Sequence, residues 1–149
     1  MLVILNVLST SIVGLYAGSL LTEAMILVPF WRRMDPADFF RLHGSMGPSL
    51  FRYFAPLTTS AVALSVAAAA LNRAENFAWN ITAGLCVTAL IIFFAYFKKA
   101  NQSFADRSLK DKELAGELSQ WASWHWLRTA LLIVAFALSI HGHQLIGRI

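Results

Sequence analysis

Residues 2–31 read LVILNVLSTSIVGLYAGSLLTEAMILVPFW. No charged side chain precedes Glu23, and the apolar run resumes behind it through Trp31. A helix needs about 20 predominantly apolar residues to cross the hydrocarbon core of a bilayer, and this stretch exceeds that. A cleaved leader would begin with Lys or Arg and carry an apolar region of about 7–15 residues. Neither feature is present, so the first span reads as retained. Three further apolar runs follow at about 53–71, 77–97 and 126–140. The expected fold is all-α, an integral membrane four-helix bundle, with 1–149 as a single transmembrane domain.

Composition agrees. Hydrophobic residues make up 58% of the 149 and charged residues 13%, about half the charged share of a soluble domain. Mean hydropathy is +0.60. A chain this short cannot hide so much apolar side chain from water. A soluble enzyme domain, a disordered tail and a disulfide scaffold are excluded, and the lipid bilayer is the expected surrounding. The single cysteine, Cys86, can form neither an intrachain disulfide nor a Cys-x-x-Cys metal site. The net charge of +4 is not gathered into a basic run with interleaved aromatics, so nucleic acid is not an expected partner.

The charge lies in the connections. Residues 32–52 hold Arg32, Arg33, Arg41 and Arg52, and residues 98–125 hold Lys98, Lys99, Arg107, Lys110 and Lys112. The 72–76 link and the C-terminal tail hold only Arg73 and Arg148. The positive-inside rule then puts both long loops in the cytoplasm and both termini outside it. Within the first loop, Asp35-Pro36-Ala37-Asp38 has the form of a helix start, with Asp35 as N-cap and Pro36 at the first helical position. A short interfacial helix through Phe39, Phe40 and His43 is expected, ending at Gly44 and Gly47-Pro48. Ser108 to Ser119 reads as a solvated helix leading into the fourth span.

A carboxylate inside a span costs about 2.5–3.5 kcal/mol on insertion scales, so Glu23 should face the bundle interior and find a partner. Ser9, Tyr16, Ser19 and Glu23 fall on one helical face and form a polar stripe. Pro29 frees the carbonyl of Met25 one turn behind it. Glu23 is either a protonated or ion-paired packing residue or part of a functional site. In the fourth span His125, Arg128 and Thr129 stand at i, i+3 and i+4 and share a face, with Trp121 and Trp124 flanking it a turn earlier. An aromatic belt explains the tryptophans but not His125. Arg128 either snorkels to the headgroups or pairs with Glu23. His43 is either a helix C-terminal group or faces His125. In the second case His43, His125 and Glu23 could hold one metal ion or form an acid–base site. His141 and His143 read as a solvated end. Gly14 and Gly18 form a Gly-x-x-x-Gly pattern compatible with a homo-oligomer.

The order of these residues resembles a known family. Glu23 followed by Pro29, the segment Phe51-Arg52-Tyr53-Phe54-Ala55-Pro56, and Asn101 followed by the Trp121, His125, Arg128, Thr129 run are together similar to the anthrone oxygenase-like family of small four-helix membrane proteins. The likeness covers essentially the whole chain. Of the family's Asn-x-Pro-x-Asn element, Phe97 to Asn101 keeps the second asparagine and lacks the proline. The resemblance implies oxidation of an anthrone-like phenol to a quinone by dioxygen, with no obvious cofactor.

The expected function is therefore a membrane-embedded oxygenase-like enzyme, a monooxygenase acting on a small lipophilic aromatic substrate near the cytoplasmic face. His125 would be the base, Arg128 the stabiliser of the developing oxyanion, and Glu23 and His43 supporting acid–base groups. Trp121, Trp124, Tyr16, Asn101 and Thr129 would contact the substrate. Two alternatives stand beside it. One is a metal-dependent membrane enzyme using His43, His125 and Glu23. The other is a non-enzymatic carrier or assembly subunit. For the cofactor the residues leave two options, none or one metal ion.

Overall fold

The computed structural model describes residues 1–72 and 77–146, with side chains through Gly142. Arg73, Arg148 and the side chain of His143 lie outside the described residues. Four helices carry the chain: α1 (Leu2–Trp31), α2 (Pro36–Leu71), α3 (Phe77–Ala105) and α4 (Asp111–Ile146). All four are long and apolar enough to cross a membrane. Each packs against the next, and α4 closes the ring on α1. Short connections between neighbours give an up-and-down bundle.

Burial is arranged for lipid rather than for water. Large apolar side chains such as Met25, Ile26, Phe30, Phe51, Ile91 and Phe94 point outward, while Ala17, Ala61, Ala68, Ala89 and Ala135 fill the interior. Lipid tails are as apolar as leucine, so nothing drives such side chains inward, and helices associate by close packing of small residues. Gly14 shows the principle. A Cβ there would lie 2.6 Å from the ring of Phe136, so α1 and α4 meet only because that Cβ is missing. A Cβ at Gly18 would meet nothing within 4 Å. The first glycine of the Gly-x-x-x-Gly pair is thus used inside the chain. Hydroxyls turn back on their own helices, Thr22 to the Gly18 carbonyl at 2.9 Å and Thr88 to that of Gly84 at 2.8 Å, so they cost little in lipid.

Two departures from the sequence reading shape the site. The helix that begins at Pro36 does not stop at Gly44 or Gly47-Pro48 but runs into the second span as one helix of 36 residues. The ring of a proline collides chiefly with the Cβ and N–H of the residue before it. Pro48 follows Gly47, whose missing Cβ removes part of that clash, but Pro56 behind Ala55 lies inside the same helix as well, so the helix continues through two prolines. The second departure is in α1 and α3, each of which widens into a π-turn, at Glu23–Leu27 and Phe93–Phe97. The first lies just ahead of Pro29, where the helix absorbs the proline without breaking. As expected, the charged stretch before the fourth span is helical and continuous with it, from Asp111 onward.

Candidate functional site

The π-turns of α1 and α3 flank the same buried point on α4, and π-turns inside α-helices recur at functional sites. His125 is fully buried there, with Glu23 5% and Arg128 6% exposed. Nε2 of His125 lies 2.9 Å from the carbonyl oxygen of Leu20, and Nδ1 lies 3.1 Å from Nη2 of Arg128. A carbonyl can only accept and a guanidinium can only donate. Together they assign His125 as the neutral tautomer with its proton on Nε2, donating to Leu20 and accepting from Arg128. Oε2 of Glu23 stands 3.8 Å from His125 Nε2, beyond hydrogen-bond length.

The direct Glu23–Arg128 ion pair allowed by the sequence is not formed. No oxygen of Glu23 comes within salt-bridge distance of Arg128, and the imidazole stands between them in the sequence of contacts. The guanidinium finds its second partner in an aromatic face, with Cζ 4.2 Å above the ring of Phe97. That contact is favourable for a desolvated cation, yet Nε of Arg128 stays buried without a hydrogen-bond partner. Glu23 likewise accepts no hydrogen bond from any described residue. An unsatisfied buried carboxylate and a buried guanidinium N–H are both costly. A polar ligand group or a proton shared with Glu23 would relieve them.

The remaining candidates divide by the face they occupy. Trp121, one turn before His125, stacks on its imidazole at 4.8 Å and 12°. It is held there by its Nε1–H, which donates to Oδ1 of Asn101 at 2.9 Å. Asn101 therefore positions Trp121, and through it His125. Thr129 donates to the His125 carbonyl at 2.8 Å and is satisfied on its own helix. Trp124 points away, 37% exposed and stacked on Tyr96. Next to His125 in sequence, it is turned about 100° round the helix from it and faces outward. Tyr16 is buried among Val13, Leu20, Leu57 and Leu132, in the layer beyond Leu20.

His43 is not brought to His125. It packs against Phe39 and Phe104 at 5.6 and 5.3 Å, in an aromatic cluster at the loop end of the bundle, with Nδ1 buried and unpartnered. The uninterrupted α2 is the cause, because a helix ending at Gly44 could have folded over the mouth. Among the described residues no three His, Cys, Asp or Glu side chains are grouped so as to hold a metal ion. The proposed ligand set His43, His125 and Glu23 is therefore not assembled. His141 is exposed on α4, roughly 24 Å beyond His125 at 1.5 Å per residue.

Two participants escaped the sequence reading. Phe97 stands four residues before Asn101, so that spacing could have placed it beside the site. The Leu20 carbonyl had no comparable signal, because only tertiary packing selects one backbone oxygen among many. No protein-family model, curated protein or solved structure matches the chain.

Proposed function

We propose that the chain is a membrane-embedded oxygenase-like enzyme acting on a small lipophilic aromatic substrate at Glu23, His125 and Arg128. The observation that carries this reading is the buried Glu23 carboxylate, which accepts no hydrogen bond from a described residue, close to a guanidinium with an unpartnered Nε. Trp121 and Phe97 supply aromatic surface around it, and the resemblance to anthrone oxygenase-like proteins supplies the reaction class. With both nitrogens of His125 engaged, the role of base passes from the histidine to Glu23. His125 becomes a positioning residue that holds Arg128.

In the proposed reaction Glu23 takes a proton from a methylene group flanked by aromatic rings. The delocalised anion gives its electrons to dioxygen, and a carbon-bound hydroperoxide forms once the second oxygen is protonated. Loss of water from it leaves a carbonyl, so CH2 and O2 become C=O and H2O. Arg128 stabilises negative charge as it gathers on oxygen. By the positive-inside rule we also place the loops that carry Arg32, Arg33 and Lys98 in the cytoplasm and both termini outside it.

Oxygen uptake by the purified protein in nanodiscs, with an anthrone-like substrate, tests the reading. The wild type should consume one dioxygen per substrate. Glu23→Gln should lower the rate by about 10²–10⁴-fold, the range of a lost general base, and Glu23→Asp should restore part of it. No uptake by the wild type, or an undiminished rate in Glu23→Gln, would overturn it.

A further inference from the structure

At the basic end of the bundle a cleft of about 380 Å³ opens between the end of α1 and the face of α4. Its rim carries Arg32 and Arg33 from α1 and its continuation, and the hydroxyls of Ser119 and Ser123 from α4. Its floor is apolar, with Val28 and Ala122 both buried. Of the other described loop arginines, Arg41 pairs with Asp38 at 2.7 Å and Arg107 reaches Asp111 at 3.7 Å, while Arg52 donates to the Pro48 carbonyl at 3.4 Å. Neither Arg32 nor Arg33 has an acidic partner among the described residues. The cleft thus offers two cations without an acidic partner and the Ser119 hydroxyl above an apolar floor, at the level where a membrane helix meets the headgroups. The Ser123 hydroxyl donates to the Ser119 carbonyl at 3.0 Å. Its size falls in the range of ligand sites, about 300–1,000 Å³.

We infer that this cleft binds one anionic phospholipid, its phosphate between Arg32 and Arg33 and the start of an acyl chain over Val28 and Ala122. Charge complementarity selects the headgroup. Basic pockets between spanning helices on the cytoplasmic side are sites of this kind. The apolar floor selects a lipid over a free anion, since inorganic phosphate would leave Val28 and Ala122 uncovered. Arginine suits the role because its planar fork can donate two parallel hydrogen bonds to phosphate oxygens. The inference does not depend on the oxygenase reading, because none of the four rim residues belongs to Glu23, His125 and Arg128.

Native mass spectrometry of the delipidated full chain, titrated with phosphatidylglycerol, measures the site. One lipid should bind with defined affinity, and Arg32→Gln with Arg33→Gln should weaken it about thirtyfold, which corresponds to roughly 1 kcal/mol for each arginine. Lys110→Gln with Lys112→Gln removes the same charge elsewhere on the same end and should change the affinity less than about threefold, well under one arginine's share. Ser123→Leu keeps both arginines and fills the cleft, and should also release the lipid. Equal losses in the two double variants would mean diffuse attraction and would overturn the site. So would unchanged binding in Arg32→Gln with Arg33→Gln, or displacement of the lipid by millimolar inorganic phosphate, which would make the ligand a free anion.

Discussion

The two ends of the bundle differ in the kind of polar group they bury. Near the termini, Asn6 on α1 is fully buried and faces Asn72 at the end of α2. Each amide donates to the other, at 3.0 and 2.8 Å, and Asn72 also donates to the Ala68 carbonyl at 2.7 Å. This clasp between two amides is neutral and reciprocal. Some 17 residues further along α1, roughly 25 Å at 1.5 Å per residue, Glu23 and Arg128 are ionisable groups linked only through His125. Nε of Arg128 is buried without a partner, and the nearest donor nitrogen to Glu23 stands at 3.8 Å. Unmet hydrogen bonding alone does not set the site apart, because Ser9 Oγ, Thr10 Oγ1 and Trp79 Nε1 toward the termini are also buried without a partner. What sets it apart is that its open groups belong to a carboxylate and a guanidinium, which are far costlier to bury than a hydroxyl or an indole N–H.

The contrast can be broken first at its charged side. Arg128→Met removes the donor to His125 Nδ1 and the cation nearest the buried carboxylate in the chain of contacts. Unfolding in detergent should show a loss on the order of 3–5 kcal/mol, as expected when one buried charge is left uncompensated. Adding Glu23→Gln should recover much of that, because the stranded charge is then gone as well. If Arg128→Met leaves the melting temperature unchanged, the two groups do not compensate each other. At the other end the effect is smaller. Asn6→Ala strands one amide that keeps its bond to Ala68, so about 1–3 kcal/mol should be lost. Asn6→Ala with Asn72→Ala should be close to neutral, and neither should alter oxygen uptake. A change in uptake would show that the termini end communicates with the site.

Much of this was legible in the sequence, and the limits have physical causes. The four spans follow from length and hydropathy, which depend on composition alone. The shared face of His125, Arg128 and Thr129 follows from helical spacing, which tertiary structure does not disturb. What could not be read is the pairing across helices. The π-turns at Glu23–Leu27 and Phe93–Phe97 shift register by one residue, and only the second lacks a nearby proline to announce the irregularity. The helix α2 continues through Pro48 behind Gly47 and Pro56 behind Ala55, where local propensity at Gly47-Pro48 reads as a break. Trp124 was placed beside Trp121 because both lie near His125 in sequence, yet only Trp121 shares its face.

His125 stands neutral between Glu23 and Arg128, giving its Nε2 proton to Leu20 and taking a hydrogen bond from Arg128 on Nδ1. Solid-state or nanodisc NMR of protein labelled with 15N at histidine, assigned with the His125→Gln variant, measures this directly. At neutral pH the expected result is two widely separated imidazole nitrogen signals for His125. The protonated nitrogen should be assigned to Nε2, and the unprotonated one to Nδ1. Two nearly equal signals from a doubly protonated ring would contradict the account, because a charged imidazole cannot accept from Arg128. A proton found on Nδ1 instead would contradict it equally, since Arg128 would then face a donor.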